Sequence, residues 1–261
     1  MFDFHMHSTV SYDGHNTPEE MVQAAEKRGL EIMCFTDHLD YTPAYPDRRM
    51  VFDEGTYRKT YSSIKSDKVQ ILHGMEFGML PNNARQLEED LKMYPFDYVL
   101  GSCHFIDGLD PYFPEYWVGK TQEQAERLYF EELLECIRVH DNFDVCSHLT
   151  YISKTRCNPV KRPIVYGMYK SLVDEILKTL VKKEKGLEVN TSGLNSCGVF
   201  LPDEPYLQRF KELGGRIVTV GSDAHTADRV GQYCDRACQT LKKIFGYVCT
   251  FENREPVFHK M

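Results

Sequence analysis

The first seven residues carry the signal that decides the fold. Residues 1–7 read Met-Phe-Asp-Phe-His-Met-His, a short apolar run that ends in His5 and His7. Side chains two positions apart point to the same side of an extended strand, so both imidazoles can bind one metal ion. This stretch therefore predicts a strand that opens the fold and leads into a metal site.

A second stretch, near the other end of the chain, repeats this arrangement. Residues 217–225 read Ile-Val-Thr-Val-Gly-Ser-Asp-Ala-His, an apolar run followed by Asp223 and His225. The two side chains have the spacing of the first histidine pair, with a carboxylate in place of one imidazole. We therefore expect a second strand that leads into metal ligands.

Between these stretches, short apolar runs alternate with longer segments of helical period. We predict strands at Phe2–His5, Ile32–Thr36, Val69–Glu76, Tyr98–His104, Asp144–His148, Leu187–Thr191 and Ile217–Ser222, with a further run at Tyr247–Phe251. The predicted helices are a first one that is capped by Thr17 and stopped at Gly29, then Glu54–Ser66, Asn83–Tyr94, Thr121–His140, Val165–Lys185, Glu204–Leu213 and Asp235–Ile244. This alternation is typical of βα units around a parallel sheet or barrel. No Gly/Ser-rich linker divides the chain, so we predict one α/β domain over residues 1–261.

Six of the seven predicted barrel strands end in residues that can bind a metal. These residues are His5 and His7, Asp37 and His38, Glu76, His104, His148, and Asp223 with His225. The carboxyl ends of parallel strands in a barrel meet at one face, where active sites are built. Histidines with a few carboxylates suit zinc, iron or manganese. The set is too large for one ion and predicts two or three divalent ions.

Composition narrows the class of protein further. The 31 Lys and Arg against 39 Asp and Glu give 31 − 39 = −8, which is unlike a nucleic-acid binder, so we expect no nucleic-acid partner. No apolar run approaches the roughly 18 residues of a membrane span, and the N-terminus lacks a signal-peptide pattern. The nine cysteines are scattered without a CxxC pair. We expect a reduced, cytoplasmic protein that acts as a monomer and has no membrane partner.

Taken together, the motifs resemble the PHP (polymerase and histidinol phosphatase) superfamily. They are His5-x-His7, Thr36-Asp37-His38, Gly74-x-Glu76, Ser102-x-His104, His148 and Gly221-Ser222-Asp223-Ala224-His225. All of them occur in order, and the set looks most like the stand-alone histidinol-phosphatase branch. The resemblance implies a distorted (β/α)7, TIM-like barrel with a trinuclear metal site at the carboxyl-terminal mouth of the strands.

The resemblance also implies how the ligands are shared among the ions. The implied ligands of the first ion are His5, His7, Glu76 and Asp223, and those of the second are Glu76, His104 and His148. His38 and His225 would hold a third ion with His15 as the expected third ligand. The spacing common in the family places that ligand on Asp13 instead, and both residues stay open at this point.

The activity implied by the resemblance is metal-dependent hydrolysis of a phosphate monoester. The expected reaction converts L-histidinol phosphate and water to L-histidinol and phosphate, a step of histidine biosynthesis. A hydroxide that bridges two metal ions is the expected nucleophile. Asp223, Asp37 and His225 are the candidate catalytic residues, with Asp37 alternatively orienting a ligand histidine. Arg156 is the candidate clamp for the substrate phosphate.

Two long loops, Tyr41–Asp53 and Asp107–Gly119, are expected at the mouth of the barrel. For a cationic amino-alcohol phosphate they could supply Asp47, Asp107, Tyr112 and Phe113, and Arg48 and Arg49 are weaker phosphate candidates than Arg156. Two other functions stay open. One is a PHP phosphodiesterase or exonuclease on nucleic-acid ends, which the net charge disfavours. The other is a non-catalytic metal-binding module, which an open multinuclear site disfavours.

Overall fold

The computed structural model describes residues 1–42 and 50–261. Seven parallel strands pair in chain order. They are β1 (Phe2–Asp3), β2 (Ile32–Asp40), β3 (Gln70–Gly78), β4 (Tyr98–Ser102), β5 (Val145–Cys146), β6 (Gly186–Asn190) and β7 (Val218–Gly221). Backbone hydrogen bonds close the ring: Phe4 N donates to Val220 O (2.8 Å) and Asp223 N donates to His5 O (2.7 Å). The fold is therefore the seven-stranded α/β barrel that the sequence predicts.

Helices surround the described part of the barrel. They are α1 (Pro18–Arg28), α2 (Glu54–Tyr61), α3 (Ala84–Asp90), α4 (Pro114–Trp117), α5 (Gln122–Val139), α6 (Lys170–Lys182), α7 (Gly193–Ser196), α8 (Glu204–Glu212) and α9 (Cys234–Ile244). The caps of α1 are those predicted. Thr17 Oγ1 accepts from Glu20 N, Glu20 Oε2 accepts from Thr17 N, and Gly29 ends the helix at a φ of 72°.

The predicted end of β2 at Thr36 is wrong, because the strand continues to Asp40. Its pairing with β3 runs without interruption from Ile32 opposite Gln70 to Asp40 opposite Gly78. Since side chains alternate between the faces of a strand, His38 and Asp40 share one face and Asp37 lies on the other. This difference decides which of these residues can reach the metal ligands.

An antiparallel hairpin follows the last helix, where the sequence predicts only its first strand. The strands β8 (Tyr247–Glu252) and β9 (Glu255–Lys260) are joined by Asn253 and Arg254, both at positive φ. Arg254 N donates to the carbonyl oxygen of Asp97, the residue before β4, at 2.9 Å. The hairpin therefore covers the amino-terminal end of the barrel and leaves the carboxyl-terminal end open.

No helix among residues 1–42 and 50–261 combines the length and the apolar character needed to cross a membrane.

Candidate metal centre

The carboxylate of Glu76, on β3, lies between two pairs of histidines at the open end of the barrel. Its Oε2 is 3.2 Å from His5 Nε2 and 3.4 Å from His7 Nε2. Its Oε1 is 2.9 Å from His148 Nε2 and 3.3 Å from His104 Nε2. A carboxylate with each oxygen turned to a different histidine pair has the geometry of a bridging ligand between two ions.

Asp223 lies beside the first of these histidine pairs, so that His5, His7, Glu76 and Asp223 form one set of possible metal ligands, the first set. Its Oδ1 lies 3.6 Å from His5 Nε2 and 3.5 Å from His7 Nε2. The residue has a φ of 56°, a left-handed conformation that is costly for a residue other than glycine. Such strain is typical of functional sites, where surrounding contacts hold the backbone in place.

The third set is formed by three stacked or neighbouring rings. The ring of His7 lies 4.2 Å from that of His38 and 4.1 Å from that of His225, and these three side chains offer ligand atoms within 4.8 Å of one another. The carboxylate of Asp13 lies between His38 and His225, with oxygen atoms 3.7 Å from His38 Nε2 and 3.3 Å from His225 Nε2. His15 is exposed on the rim of the cleft. The structure therefore brings Asp13, rather than His15, to the third set.

We refer to the residues of these three sets together as the cluster. Several of its buried polar atoms lack hydrogen-bond partners in the described part of the chain. They include His5 Nε2, His7 Nε2 and Glu76 Oε2. Buried polar atoms are normally paired, and orphaned nitrogen and oxygen atoms that converge are the donor set of a divalent metal. The residues present fit the metal ions that the motifs imply.

The protonation of the cluster follows from burial and from neighbouring charges. Burial lowers the pKa of His7, and the adjacent His225 and His38 lower it further, so it lies well below its ordinary value. Burial opposes the charged form of Glu76, but His5 and the other histidines hold its pKa well below its ordinary value. His7 and Glu76 are therefore held in the forms that bind metals, a neutral imidazole and an ionised carboxylate, whereas at His5, His38 and His104 burial is outweighed by the neighbouring carboxylates, which raise the pKa.

Two further carboxylates lie against the rings of these histidines, and neither was predicted from the sequence. Asp40 Oδ1 is 2.9 Å from His104 Nδ1, and its Oδ2 is 3.1 Å from His38 Nδ1. Glu188 Oε1 is 2.7 Å from His5 Nδ1. A carboxylate on the second ring nitrogen orients a metal-binding histidine. Two features of the sequence could have revealed them. Asp40 is two residues after His38 in β2 and therefore shares its face, and Glu188 is an acid inside the apolar strand β6.

Two glycines make room for these carboxylates. A Cβ at Gly78 would lie 1.9 Å from Asp40 Oδ1, and a Cβ at Gly221 would lie 2.2 Å from Glu188 Oε1. Any larger residue at either position would displace a carboxylate that holds a ligand ring. The glycine before the Ser-Asp-Ala-His motif is therefore required by close approach.

The structure does not bring Asp37 to the cleft as a candidate catalytic residue. Its carboxylate faces away from the barrel interior, where it accepts from Ser8 N (2.8 Å), from Ser11 Oγ (2.8 Å) and from the hydroxyl of Tyr61. Ser11 Oγ is in turn 3.1 Å from His7 Nδ1. Asp37 is thus connected to His7 through Ser11, which is the position that its alternative role, orienting a histidine, requires.

Among the described residues, Lys154 is the basic side chain that reaches the cluster, and Arg156 does not. Lys154 Nζ contacts Asp223 Oδ2 and donates to Ser192 Oγ at 3.1 Å. Arg156 is exposed and is not among the residues that line the cleft. The two positions lie on the turn after His148, and the direction of that turn could not be read from the sequence.

Above the cluster lies a cleft of about 400 Å³ with an aromatic wall. Its lining includes Asp13, Glu76, Asp223, His225 and Lys154 near the floor, and Tyr12, Met50, Asp110, Tyr112, Phe113 and Tyr151 on the wall. Tyr112 and Phe113 therefore lie at the mouth of the barrel, as predicted from the sequence. Asp47, Arg48 and Arg49, the other candidates from the loops, lie outside the described residues.

Asp107 does not line the cleft, and Asp110 does. Ile106 and Leu109 exchange two backbone hydrogen bonds around Asp107 and Gly108, both at positive φ, which is the geometry of a tight type I′ turn. The turn leaves Asp107 exposed and directs Asp110 inward, and burial raises the pKa of Asp110 to about 6.

Comparisons with known proteins identify the family of this chain. The PHP domain family matches residues 3–192. A probable histidinol-phosphatase of Clostridium acetobutylicum is 38% identical over 88% of this chain and 89% of its own length. The histidinol-phosphatase of Lactococcus lactis subsp. lactis is 30% identical over 95% of this chain and 93% of its own length.

A solved structure matches the fold over almost the whole chain. The crystal structure of the histidinol phosphate phosphatase of Lactococcus lactis subsp. lactis, complexed with zinc, L-histidinol and phosphate, superposes with a TM-score of 0.83 and 29% identity, covering 98% of both chains. The family match, the relatives and the shared fold all point the same way: this chain belongs to the PHP domain family, in the branch of the stand-alone histidinol-phosphatases.

Proposed function

We propose that this protein is a metal-dependent phosphatase that converts L-histidinol phosphate and water to L-histidinol and phosphate. The observation that carries the proposal is the Glu76 carboxylate between two histidine pairs at the floor of an open cleft. The relatives named for this activity share the fold and most of the chain length. An open site of nitrogen and oxygen ligands is typical of catalytic rather than structural metal centres.

The ligand sets support a centre of three ions. The first would be held by His5, His7, Glu76 and Asp223, and the second by Glu76, His104 and His148; His38, His225 and Asp13 support a third ion. Divalent ions bound there would supply Lewis acidity to activate water and to neutralise the charge of the phosphoryl group. Zinc is present in the related structure, and the same donor atoms accept iron or manganese.

The residues around the ions provide the rest of the chemistry. Lys154 keeps one donor on Asp223 and one on Ser192, and has a third to offer to a phosphoryl oxygen at the edge of the cluster. In the reaction, a bond forms between water oxygen and phosphorus, the ester P–O bond breaks, and the alcohol oxygen gains a proton. Asp223 and His225, whose Oδ1 and Nδ1 are 3.6 Å apart, are the groups placed to move that proton.

The proposal also concerns the compartment, the oligomeric state and the domain organisation of the protein. All nine cysteines are free, as in a reducing compartment, which supports a cytoplasmic enzyme. We propose that the protein acts as a monomer and as one domain, since a single barrel supplies all the site residues that lie within 1–42 and 50–261.

The test is phosphate release by protein loaded with zinc, manganese or iron. L-Histidinol phosphate is compared with sugar and nucleotide monophosphates and with single-stranded DNA. A strong preference for L-histidinol phosphate supports the proposal. Indiscriminate release of phosphate, or release of nucleotides from DNA without monoester turnover, refutes it.

A pair of variants tests the phosphate contact. Lys154→Ala removes the cation that faces the cluster, and we expect kcat/KM to fall about 10- to 100-fold, as for the loss of a charged hydrogen bond. Arg156→Ala, two residues away and exposed, is the matched control and should leave kcat/KM unchanged. The reverse result would return the phosphate contact to Arg156.

A further inference from the structure

In the described part of the chain, one acidic side chain lines the cleft apart from the proposed metal ligands. Asp110 is 6% exposed, and its Oδ1 accepts from Tyr112 N (2.7 Å) and Tyr151 Oη (3.3 Å). Within residues 1–42 and 50–261, no lysine or arginine pairs with this carboxylate, and its side-chain hydrogen bonds both go to Oδ1. Asp110 lines the open cleft, so its Oδ2 is available to accept a hydrogen bond from a ligand bound there.

The position of Asp110 says which part of a substrate it can reach. The ring of Tyr151 lies 5.1 Å from that of His104 and 5.0 Å from that of His148, and its hydroxyl group points to Asp110. A tyrosine ring thus separates Asp110 from the floor where the phosphoryl group would react. The group that meets Asp110 therefore lies at the far end of the substrate from the ester.

The wall around Asp110 is suited to a flat ring. Tyr112 and Phe113 are in edge-to-face contact at 5.3 Å, and Tyr12 and Tyr151 line the same cleft. Aromatic side chains pack well against a heterocycle, and a carboxylate accepts a hydrogen bond from a ring N–H. In L-histidinol phosphate the amino group sits on the carbon next to the ester carbon, whereas the imidazole is one methylene group further away.

We propose that Asp110 binds the imidazole N–H of L-histidinol phosphate and thereby selects substrates that carry this ring. The assignment rests on the proposed function. It makes Asp110 a residue for specificity and leaves the chemistry of the phosphoryl group to the floor of the cleft.

The experiment compares Asp110→Asn with Asp107→Asn on two substrates. Asparagine keeps an oxygen for Tyr112 N–H but loses the charge, and Asp107 is the matched control because it is exposed three residues away in the same loop. O-Phosphoethanolamine carries the amino group and the phosphate but no ring. For Asp110→Asn, kcat/KM with L-histidinol phosphate should fall about 10- to 100-fold, mostly through KM, while that with O-phosphoethanolamine stays within about twofold.

A binding measurement accompanies the kinetics. The affinity of the metal-loaded protein for L-histidinol, measured by calorimetry, should fall by the same factor in Asp110→Asn and stay unchanged in Asp107→Asn. Equal losses on both substrates, or no loss of L-histidinol affinity, overturn the assignment. An active wild type with an unaffected Asp110→Asn variant refutes only the role of Asp110, whereas a wild type inactive on L-histidinol phosphate refutes the proposed function itself.

Discussion

Glu188 offers the sharpest test of how the protein positions its ligand histidines. The carboxylate is 1% exposed, with Oε1 at 2.7 Å from His5 Nδ1. Its Oε2 accepts from His148 N at 2.7 Å and from Asn190 Nδ2 at 3.1 Å. One side chain thus contacts histidines that belong to two different ligand sets. We therefore expect its replacement to lower both stability and metal affinity.

The magnitude follows from these contacts. In Glu188→Gln the amide oxygen can still accept from His5, but the bond is no longer charge-assisted, a loss of about 1 kcal/mol. The amide NH2 cannot accept from His148 N, and a buried unsatisfied N–H costs about 1–3 kcal/mol. The free energy of unfolding should fall by about 2–4 kcal/mol, which lowers Tm by about 5–15 °C at this chain length. Loss of such an orienting contact lowers metal affinity about 10- to 100-fold.

The assay combines thermal unfolding of the metal-free protein with zinc titration against a competing chelator. Glu131→Gln, at an exposed position on α5, is the matched control and should change neither quantity. A Glu188→Gln variant with wild-type Tm and wild-type zinc affinity would show that these contacts do not position the ligands. A loss of stability with unchanged zinc affinity would restrict Glu188 to a role in folding.

Three further outcomes follow from the structure. Glu76→Ala removes the carboxylate between the histidine pairs. Bound zinc, measured by elemental analysis, should fall by about one ion or more, and phosphate release should be lost. Full zinc content in this variant would contradict a bridging role for Glu76. The hydrogen bonds from Arg209 lower the pKa of Asp174 from 3.8 to about 2. A carboxylate with a lowered pKa stabilises the fold above pH 3.8, and this stabilisation is lost as the pH falls through 2. The Tm difference between wild type and Arg209→Gln should therefore shrink as the pH falls from 3.8 to 2. A Tm difference that stays constant would exclude the ion pair as its cause. Arg254 holds Asp144 with two donors, and Arg254→Ala should lower the free energy of unfolding in urea by about 1–3 kcal/mol, whereas an unchanged midpoint would show that the hairpin does not depend on this pair.

The parts of the fold that follow from local sequence were predicted well. The first helix begins after Thr17 and ends at Gly29 because its caps are made by neighbouring residues. The end of β2 was predicted wrongly because it depends on pairing with β3, far along the chain. The strand β9 was missed because it is an exposed edge, where the apolar alternation that reveals buried strands is weak.

The sequence by itself determined that a set of histidines meets Glu76 and Asp223, because spacing and position after strands are enough to bring such residues to one end of a parallel barrel. Only the tertiary structure decided which other charged groups join them. Asp40 faces the site while Asp37 faces away, and Lys154 reaches the cluster while Arg156 stays in solvent. The physical reason is that strand register and the direction of a turn are set by pairing and packing with distant parts of the chain, which no local pattern of residues encodes.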